Sequence, residues 1–582
     1  MKPETRQCQN CKNKFTIEPD DFSFYEKIKI SPPTWCPECR QMRRMSFRNE
    51  RNLFKKKCDK TGQNIISVFS PNSPFKVYNR AYFDNGEFDP MVFGCEFDFS
   101  RPFFEQFKEL MLSVPFPALS VSVSENCEYN NDMSRSKDCY LCSRTHDSSN
   151  MLYTYRGNHS RDCVDCTQAV KKSEFLYECI ECATCSNGSF LYFCENCSSS
   201  NFLWNCKNCL DCFMCSNLRN GQYCFKNQKF TKEEYLQKVA EYQLNSFKDL
   251  EKTKKEFEEF NKKSIRKYLN ITNSQNCTGD NIINSKNAIM CFGAKSVEDV
   301  KYLWDVMLYK NSMDCYSGGR NNELIYECTA VAGSYNCHFC VRAPDCYDVS
   351  YSMHIHDSKN LFGCISLRNK EYCILNKQYS KEEYEKLKER IIEHMKRTGE
   401  YGEFFPMSLS QFEYNATIAQ EYFPKTKEEV LREGLRWNDP DTKSYTITVK
   451  PEDLPDNVKF VNEDILKETI GCAHASACEH GCSTAFKMIP RELEFYKRMN
   501  LALPRLCPNC RHYGRISKLN PLKLWHRKCQ CAGTKSENGI YKNLAKHYLH
   551  GEEFCPNEFE TSYAPDKPEI VYCEKCYQQE VY

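Results

Sequence analysis

From Ser124 to Cys215 the chain keeps a 12-residue beat, with Cys127, Cys139, Met151, Cys163 and Phe175 marking one phase. Three positions before the beat stand Ser124, Ser136, Ser148 and Ser160, and directly before it Asn126, Asp138, Asn150 and Asp162. Two positions after it come Tyr129, Leu141, Tyr153 and Tyr177, a column that Asp165 breaks. After a three-residue slip, FLYECIEC from Phe175 returns as FLYFCENC from Phe190 and FLWNCKNC from Phe202. Apolar residues alternate within each block and a polar turn follows, which predicts a parallel β-solenoid stacking one short strand per turn. Like then stacks on like, so Cys179, Cys194 and Cys206 are expected to form one inward ladder and the phenylalanines another.

The solenoid is expected twice. SNLRNGQYCFKNQKFTKEEY from Ser216 returns as SLRNKEYCILNKQYSKEEY from Ser366, so that Arg219 and Cys224 correspond to Arg368 and Cys373 at an offset of 149. Each copy ends in Thr or Ser, Lys and two Glu, an N-cap with acids in the first turn, and predicts helices over Lys232–Tyr268 and Lys381–Arg397. Between them, Asn276 to Cys373 keeps polar triplets at Cys277, Cys315, Cys337 and Cys346 without the strict spacing, a second and looser half. Phe103–Leu112 reads as a short amphipathic helix stopped by Pro115 and Pro117.

Composition narrows the chemistry. A chain of 582 residues has core enough not to need disulfides, so its 40 cysteines want another explanation. The N-terminus lacks an apolar h-region and no run of about 18 apolar residues occurs, which points to a reducing cytoplasm, with no membrane partner expected. There, CxxC spacing favours zinc or buried thiols. For the coil pairs (Cys139 with Cys142, Cys163 with Cys166, Cys179 with Cys182, Cys194 with Cys197, Cys206 with Cys209) both readings stand, the buried thiol being favoured because a narrow coil suits a small apolar residue.

The strongest chemical signal is CQNC at Cys8 and Cys11 followed by CPEC at Cys36 and Cys39, four thiolates on two knuckles, the tetrahedral set of a closed zinc site. Behind it, Arg40, Arg43, Arg44, Arg48, Arg51, Lys55, Lys56 and Lys57 stand against only Glu50, a cluster able to meet phosphates or to form a solvated helix face. Moving every position by 471 brings Cys11, Cys36, Cys39 and Cys58 onto Cys482, Cys507, Cys510 and Cys529, and Arg44 onto Arg515. Cys478 is expected to complete the second set, with Cys472, His474 and His480 as alternatives. Arg511, Arg515, Lys518, Lys523, Arg527 and Lys528 repeat the basic segment without a single acid. A further shift of 494 predicts a second ribbon in each module, stripped of ligands at the N-terminus. At the C-terminus Cys555, Cys573 and Cys576 are joined by Cys531 or Cys529, with His547 and His550 as fallback ligands. Three zinc ions are expected.

Phe24, Tyr25, Glu26, Pro33 and the CPECR run resemble the bacterial "probable zinc-ribbon domain" family. The resemblance implies a zinc ribbon and no established activity. With the closing run NEFETSYAPDKPEIVYCEKCYQQEVY, the full length resembles an uncharacterised family of Cys-rich bacterial proteins, some labelled CaiB/BaiF-type CoA-transferases. No transferase domain is recognisable here.

The expected architecture is mainly β: zinc ribbon with basic segment (1–60), degenerate ribbon plus helix (61–117), solenoid half (118–230), helical insert (231–270), second half (271–379), helix (380–400), polar linker or small domain (401–470), zinc ribbon (471–528) and C-terminal zinc ribbon (529–582). The expected function is a non-enzymatic zinc-binding scaffold that meets an anionic partner, RNA or a ribonucleoprotein, through the basic segments. A protein-interaction scaffold is the alternative, favoured by a net charge of only +2. A metal-handling or redox protein using the central CxxC pairs is the third reading. No small-molecule substrate is identified, and the cluster Met353, His354, Ile355, His356, Asp357 reads as a polar turn before a catalytic site.

Overall fold

The computed structural model describes residues 2–439, 445–536 and 541–582. Residues 440–444 of the expected linker and 537–540 of the last ribbon lie outside the described residues. The chain forms two compact units of discontinuous sequence, Met1–Leu119 with Leu269–Asp439 and Ser120–Tyr268 with Pro440–Tyr582. Each unit therefore joins one terminal module to one half of a mainly β, parallel solenoid.

The coil's period is three within twelve. Cys179, Cys182 and Cys185 are all fully buried, and the residue before each, Glu178, Glu181 and Thr184, has φ of 49°, 51° and 56°. Each side is thus a triplet: one extended residue, one left-handed corner, one inward side chain. Four sides make a turn. Left-handed corners cost L-residues energy, least so for Asn and Asp. This explains the column Asn126, Asp138, Asn150 and Asp162, all with φ of 52–55°. Those corners also bond along the stack, Asn126 Nδ2 donating to Asp138 Oδ1 (2.8 Å) and Asn150 Nδ2 to Asp162 Oδ1 (3.1 Å).

A triplet side corrects two expectations. The slip from Phe175 to Phe190 moves the motif by one turn and one further side, so Ile180 pairs with Tyr192, and Leu191 with Leu203. Bridges from Ala183 to Glu195 and from Glu195 to Lys207 then put Cys182, not Cys179, in one column with Cys194 and Cys206. Nor do the phenylalanines face inward. Phe190 and Phe202 are corners (φ 56° and 58°) whose rings stack at 4.4 Å outside the coil, and Phe257 of the insert covers Phe202 at 5.5 Å.

Inside, cysteines pack with Met133, Met151, Leu176, Leu191 and Leu203. Their thiols donate to backbone carbonyls, Cys194 to Tyr192 (3.4 Å) and Cys206 to Trp204 (3.5 Å). Burial pushes the Cys182 thiol up to about 11 and those of Cys215 and Cys291 up to about 12. These are packing thiols, small and weakly polar. Brief alkylation of native protein with peptide mapping should therefore mark exposed Cys95 while Cys194 and Cys206 stay unmodified until denaturant is added. Equal labelling of all three would contradict the buried ladder.

The second half is built on the same 12-residue turn as the first. Trp304 pairs with Tyr316, Tyr335 with Tyr347 and Leu361 with Cys373, each pair one full turn apart. Its beat is hidden in the sequence because Ala288, Val300, Ile325, Val349 and Leu361 take inward positions that cysteine holds in the first half. One turn that is a residue short, from Ile271 to Ile282, and one that is a residue long, from Cys315 to Cys328, add to the blur.

The inserts begin as expected, Thr231 and Ser380 closing capping boxes with Glu234 and Glu383. The first is two helices, Lys232–Ala240 and Phe247–Lys262, not one. Segment 401–470 is no domain. Phe404, Phe405, Leu409 and Ile418 are buried in the first unit, and Leu454, Val458 and Ile465 in the second. Among the described residues no helix is long and apolar enough to cross a membrane.

Candidate metal centres and the arginine clamps

The N-terminal ribbon is a hairpin, Glu4–Gln7 with Lys14–Ile17, whose tip carries Cys8 and Cys11, facing a helix, Pro37–Met45, that Cys36 caps. The ligand atoms of Cys8, Cys11, Cys36 and Cys39 lie within 4.8 Å of one another, with 3.7 Å between the sulfurs of Cys11 and Cys36. A disulfide needs about 2 Å, whereas tetrahedral zinc with bonds of about 2.3 Å sets sulfurs about 3.8 Å apart. Two donors steady the set: Cys36 N–H to Cys8 Sγ (3.2 Å) and Asn10 Nδ2 to Cys39 Sγ (3.3 Å). The Cys36 hydrogen bond lowers Cys39 to about 5 while Cys36 itself is raised, the behaviour of thiols that share protons.

The second set keeps this design with a different first ligand. Cys507 caps the helix Pro508–Ile516 and donates its N–H to Cys472 Sγ (3.3 Å), as Cys36 does to Cys8. The group is Cys472, Cys482, Cys507 and Cys510, so Cys472 fills the place expected of Cys478. Cys478 lies instead with His474, His480 and Cys510. The last ribbon gathers Cys529, Cys555, Cys573 and Cys576, Cys573 N–H donating to Cys529 Sγ (3.2 Å). Cys531 falls into a separate group with His547, His550 and Cys576. The extended loops explain both differences: each carries two candidate cysteines, and only backbone geometry chooses between them. In the N-terminal counterpart Cys58 is left with Thr61 and Asn79 N–H donors on its sulfur, a ribbon without its other ligands. Among the described residues no group of this kind lies in the coil.

The arginines expected to meet phosphates point inward. Arg40, Arg43 and Arg44 are 1–3% exposed. Arg40 holds Asp314 (2.8 Å), Arg44 holds Asp314 (3.1 Å) and Glu327 (2.8 Å), and Arg43 holds Glu327 (3.1 Å) and Glu403 (3.0 Å). Arg48 is buried against Glu50 (3.1 Å), and Arg51 meets Glu421 (2.8 Å). In the other unit Arg511 reaches Asp165 (2.5 Å) and Glu492 (3.3 Å), and Arg515 reaches Asp165 (2.8 Å). Lys518 stays half-exposed, 3.6 Å from Glu258. A buried guanidinium paired with carboxylates has no charge to offer a phosphate. These segments are clamps that fix each ribbon helix to its coil.

The acids are corners at equivalent places in the two coil halves. Asp165, Asp314 and Glu327 have φ of 53°, 56° and 47°, and Cys315 pairs with Cys328, stacking Asp314 beside Glu327. Asp165 and Glu178 correspond to Asp314 and Glu327 at the same offset of 149 that relates the coil halves, while 471 carries Arg40 and Arg44 onto Arg511 and Arg515. Two internal repeats of different offset thus match arginines to acids. The break at Asp165 in the tyrosine column was the available signal.

Met353 to Asp357 form no site. Ile355 is an inward residue, and the His354 ring lies on Phe116 (5.3 Å) with Nε2 3.4 Å from Gln411 Oε1. Burial holds His354 well below the usual histidine range and His356 at about 3, so both stay neutral.

No protein-family model and no curated protein matches this chain. Among solved structures, one described as a "putative acetyltransferase" from Desulfovibrio desulfuricans G20 is 8% identical, covering 62% of this chain and 86% of its own with a TM-score of 0.10, a likeness too slight to carry an argument.

Proposed function

We propose that the protein is a non-enzymatic, cytoplasmic scaffold in which zinc holds three ribbons and the solenoid presents its outer columns to protein partners. The inward turn of the basic helices carries this reading. Arginines spent on Asp165, Asp314 and Glu327 leave the RNA reading with scattered lysines, Lys55 to Lys57, Lys518, Lys523 and Lys528, of which Lys518 and Lys528 already face Glu258 (3.6 Å) and Glu558 (2.9 Å). The outer surface offers a protein-like contact instead. Along one column run Glu298, Lys310, Glu323, Tyr335, Tyr347, Lys359 and Glu371, and the two tyrosines are 42% and 52% exposed between charged neighbours. Exposed aromatics within a charged rim suit a protein interface.

Affinity capture from nuclease-treated extract tests this, with the parent and a Tyr335→Ser, Tyr347→Ser variant side by side. A partner held by the parent and lost by the variant is the expected result. Capture that vanishes with nuclease, or RNA binding that falls steeply with salt, would restore the nucleic-acid reading.

A further inference from the structure

We infer that the two C-terminal ribbons each hold a pair of metal ions bridged by one thiolate, Cys510 in the first and Cys576 in the second. The inference builds on the zinc-ribbon reading and adds two ions to its three.

The N-terminal ribbon sets the baseline. There a tight CxxC knuckle joins Cys8 to Cys11, whereas the corresponding stretch from Cys472 to Cys482 is a longer loop that brings in His474, Cys478 and His480. In the last ribbon the short step from Cys58 to Thr61 is replaced by a much longer insertion between Cys529 and Cys555, which brings in Cys531, His547 and His550. Two loops of unlike length thus deliver the same donors, one cysteine and two histidines. In both cases the fourth donor is the second cysteine of the helix knuckle, already in the four-cysteine set. All four ligand atoms of each extra group lie within 4.8 Å of one another.

Hydrogen bonds aim the imidazoles. His547 Nε2 meets the buried Glu580 carboxylate (2.8 Å), which also accepts from Leu544 N–H and Tyr541. That leaves the Nδ1 lone pair toward Cys531 Sγ (3.1 Å). His550 Nδ1 donates to the Glu553 carbonyl (2.6 Å), leaving Nε2 toward Cys576 Sγ (3.2 Å). A histidine whose far nitrogen is held by a carboxylate or carbonyl is the usual metal-ligating arrangement. In the other ribbon, Nδ1 of His474 and of His480 are buried without a hydrogen-bond partner, and Cys478 Sγ lies 3.7 Å from Cys510 Sγ. Charge favours the pair as well: five thiolates shared by two divalent ions leave one negative charge, whereas four thiolates on one ion leave two.

Native mass spectrometry of the full chain should count five zinc ions. His547→Ala with His550→Ala should reduce the count to four, as should His474→Ala with His480→Ala, and Cys576→Ser should remove both ions of its ribbon. In cadmium-113-substituted protein the bridge should appear as a splitting between two metal resonances, lost in Cys576→Ser. Three ions in the parent would overturn the bridged pairs and leave the single-ion ribbons standing; none would overturn the ribbons themselves. Five ions without cadmium–cadmium splitting would overturn the bridge.

Discussion

Stripping the metal with a strong chelator should open the ribbon tips and leave the coil intact. The tip of the N-terminal ribbon has a small core of its own: among the described residues Cys8, Cys36 and Cys39 cluster with the partly buried Phe15 and Trp35. Four thiolates within 4.8 Å repel one another, and a bound cation would offset that repulsion. Structural zinc contributes about 10–16 kcal/mol in isolated finger peptides, far more than such a tip can replace. The coil, by contrast, holds itself through its parallel ladders and the cluster of Cys163, Leu176, Leu191 and Leu203. Limited proteolysis after chelation should therefore cut near residues 8–16, 472–484 and 529–555 while 124–225 resists. Cys36→Ser should reproduce the first cut alone. Cleavage spread evenly along the chain would show that the ribbons and the coil unfold together.

How much of this could be read beforehand depended on whether a residue's role is set by its neighbours in sequence or by those in space. The solenoid was legible because each turn repeats its own local chemistry, Asn or Asp at a corner and a small residue inside. The face of each side chain was not, because alternation over a short block fits a period of two nearly as well as the triplet that left-handed corners impose. Phe190 and Phe202 were therefore assigned to the wrong side of the wall. Cysteine spacing identified the Cys8, Cys11, Cys36 and Cys39 group outright. It points to Cys478 where the structure places Cys472, and leaves Cys529 and Cys531 undecided, since a long loop lets any of its cysteines reach the helix knuckle. The arginines were misread for a different reason. Their partners Asp314 and Glu327 stand far along the chain, in the second coil half, and a run of positive charge looks the same whether water or a buried carboxylate receives it.

Asp165→Asn should be the most damaging single change in the unit that contains it. Asp165 is fully buried, and it is the only carboxylate that meets Arg515 among the described residues. Arg511 would keep Glu492 (3.3 Å) and the Tyr496 hydroxyl (2.9 Å), but Arg515 would retain hydrogen bonds only to the Thr167 hydroxyl (3.4 Å) and the Tyr153 carbonyl (3.3 Å), with Glu178 attracting it from beyond ion-pair distance. Breaking one side of a buried pair strands a charge, at a cost of about 3–5 kcal/mol. Asp314→Asn should cost less, roughly 1–3 kcal/mol, because Glu327 still holds Arg44 at 2.8 Å and reaches Arg40 at 3.6 Å. Removing the exposed Lys137–Glu125 pair should leave stability almost unchanged. Hydrogen exchange read by mass spectrometry separates the sites. Asp165→Asn should speed exchange across Pro508–Ile516 and leave Pro37–Met45 at the parent rate, and Asp314→Asn should do the reverse. Exchange unchanged in both helices would mean that the clamps do not hold the ribbons, and that the arginine charge belongs to some other task.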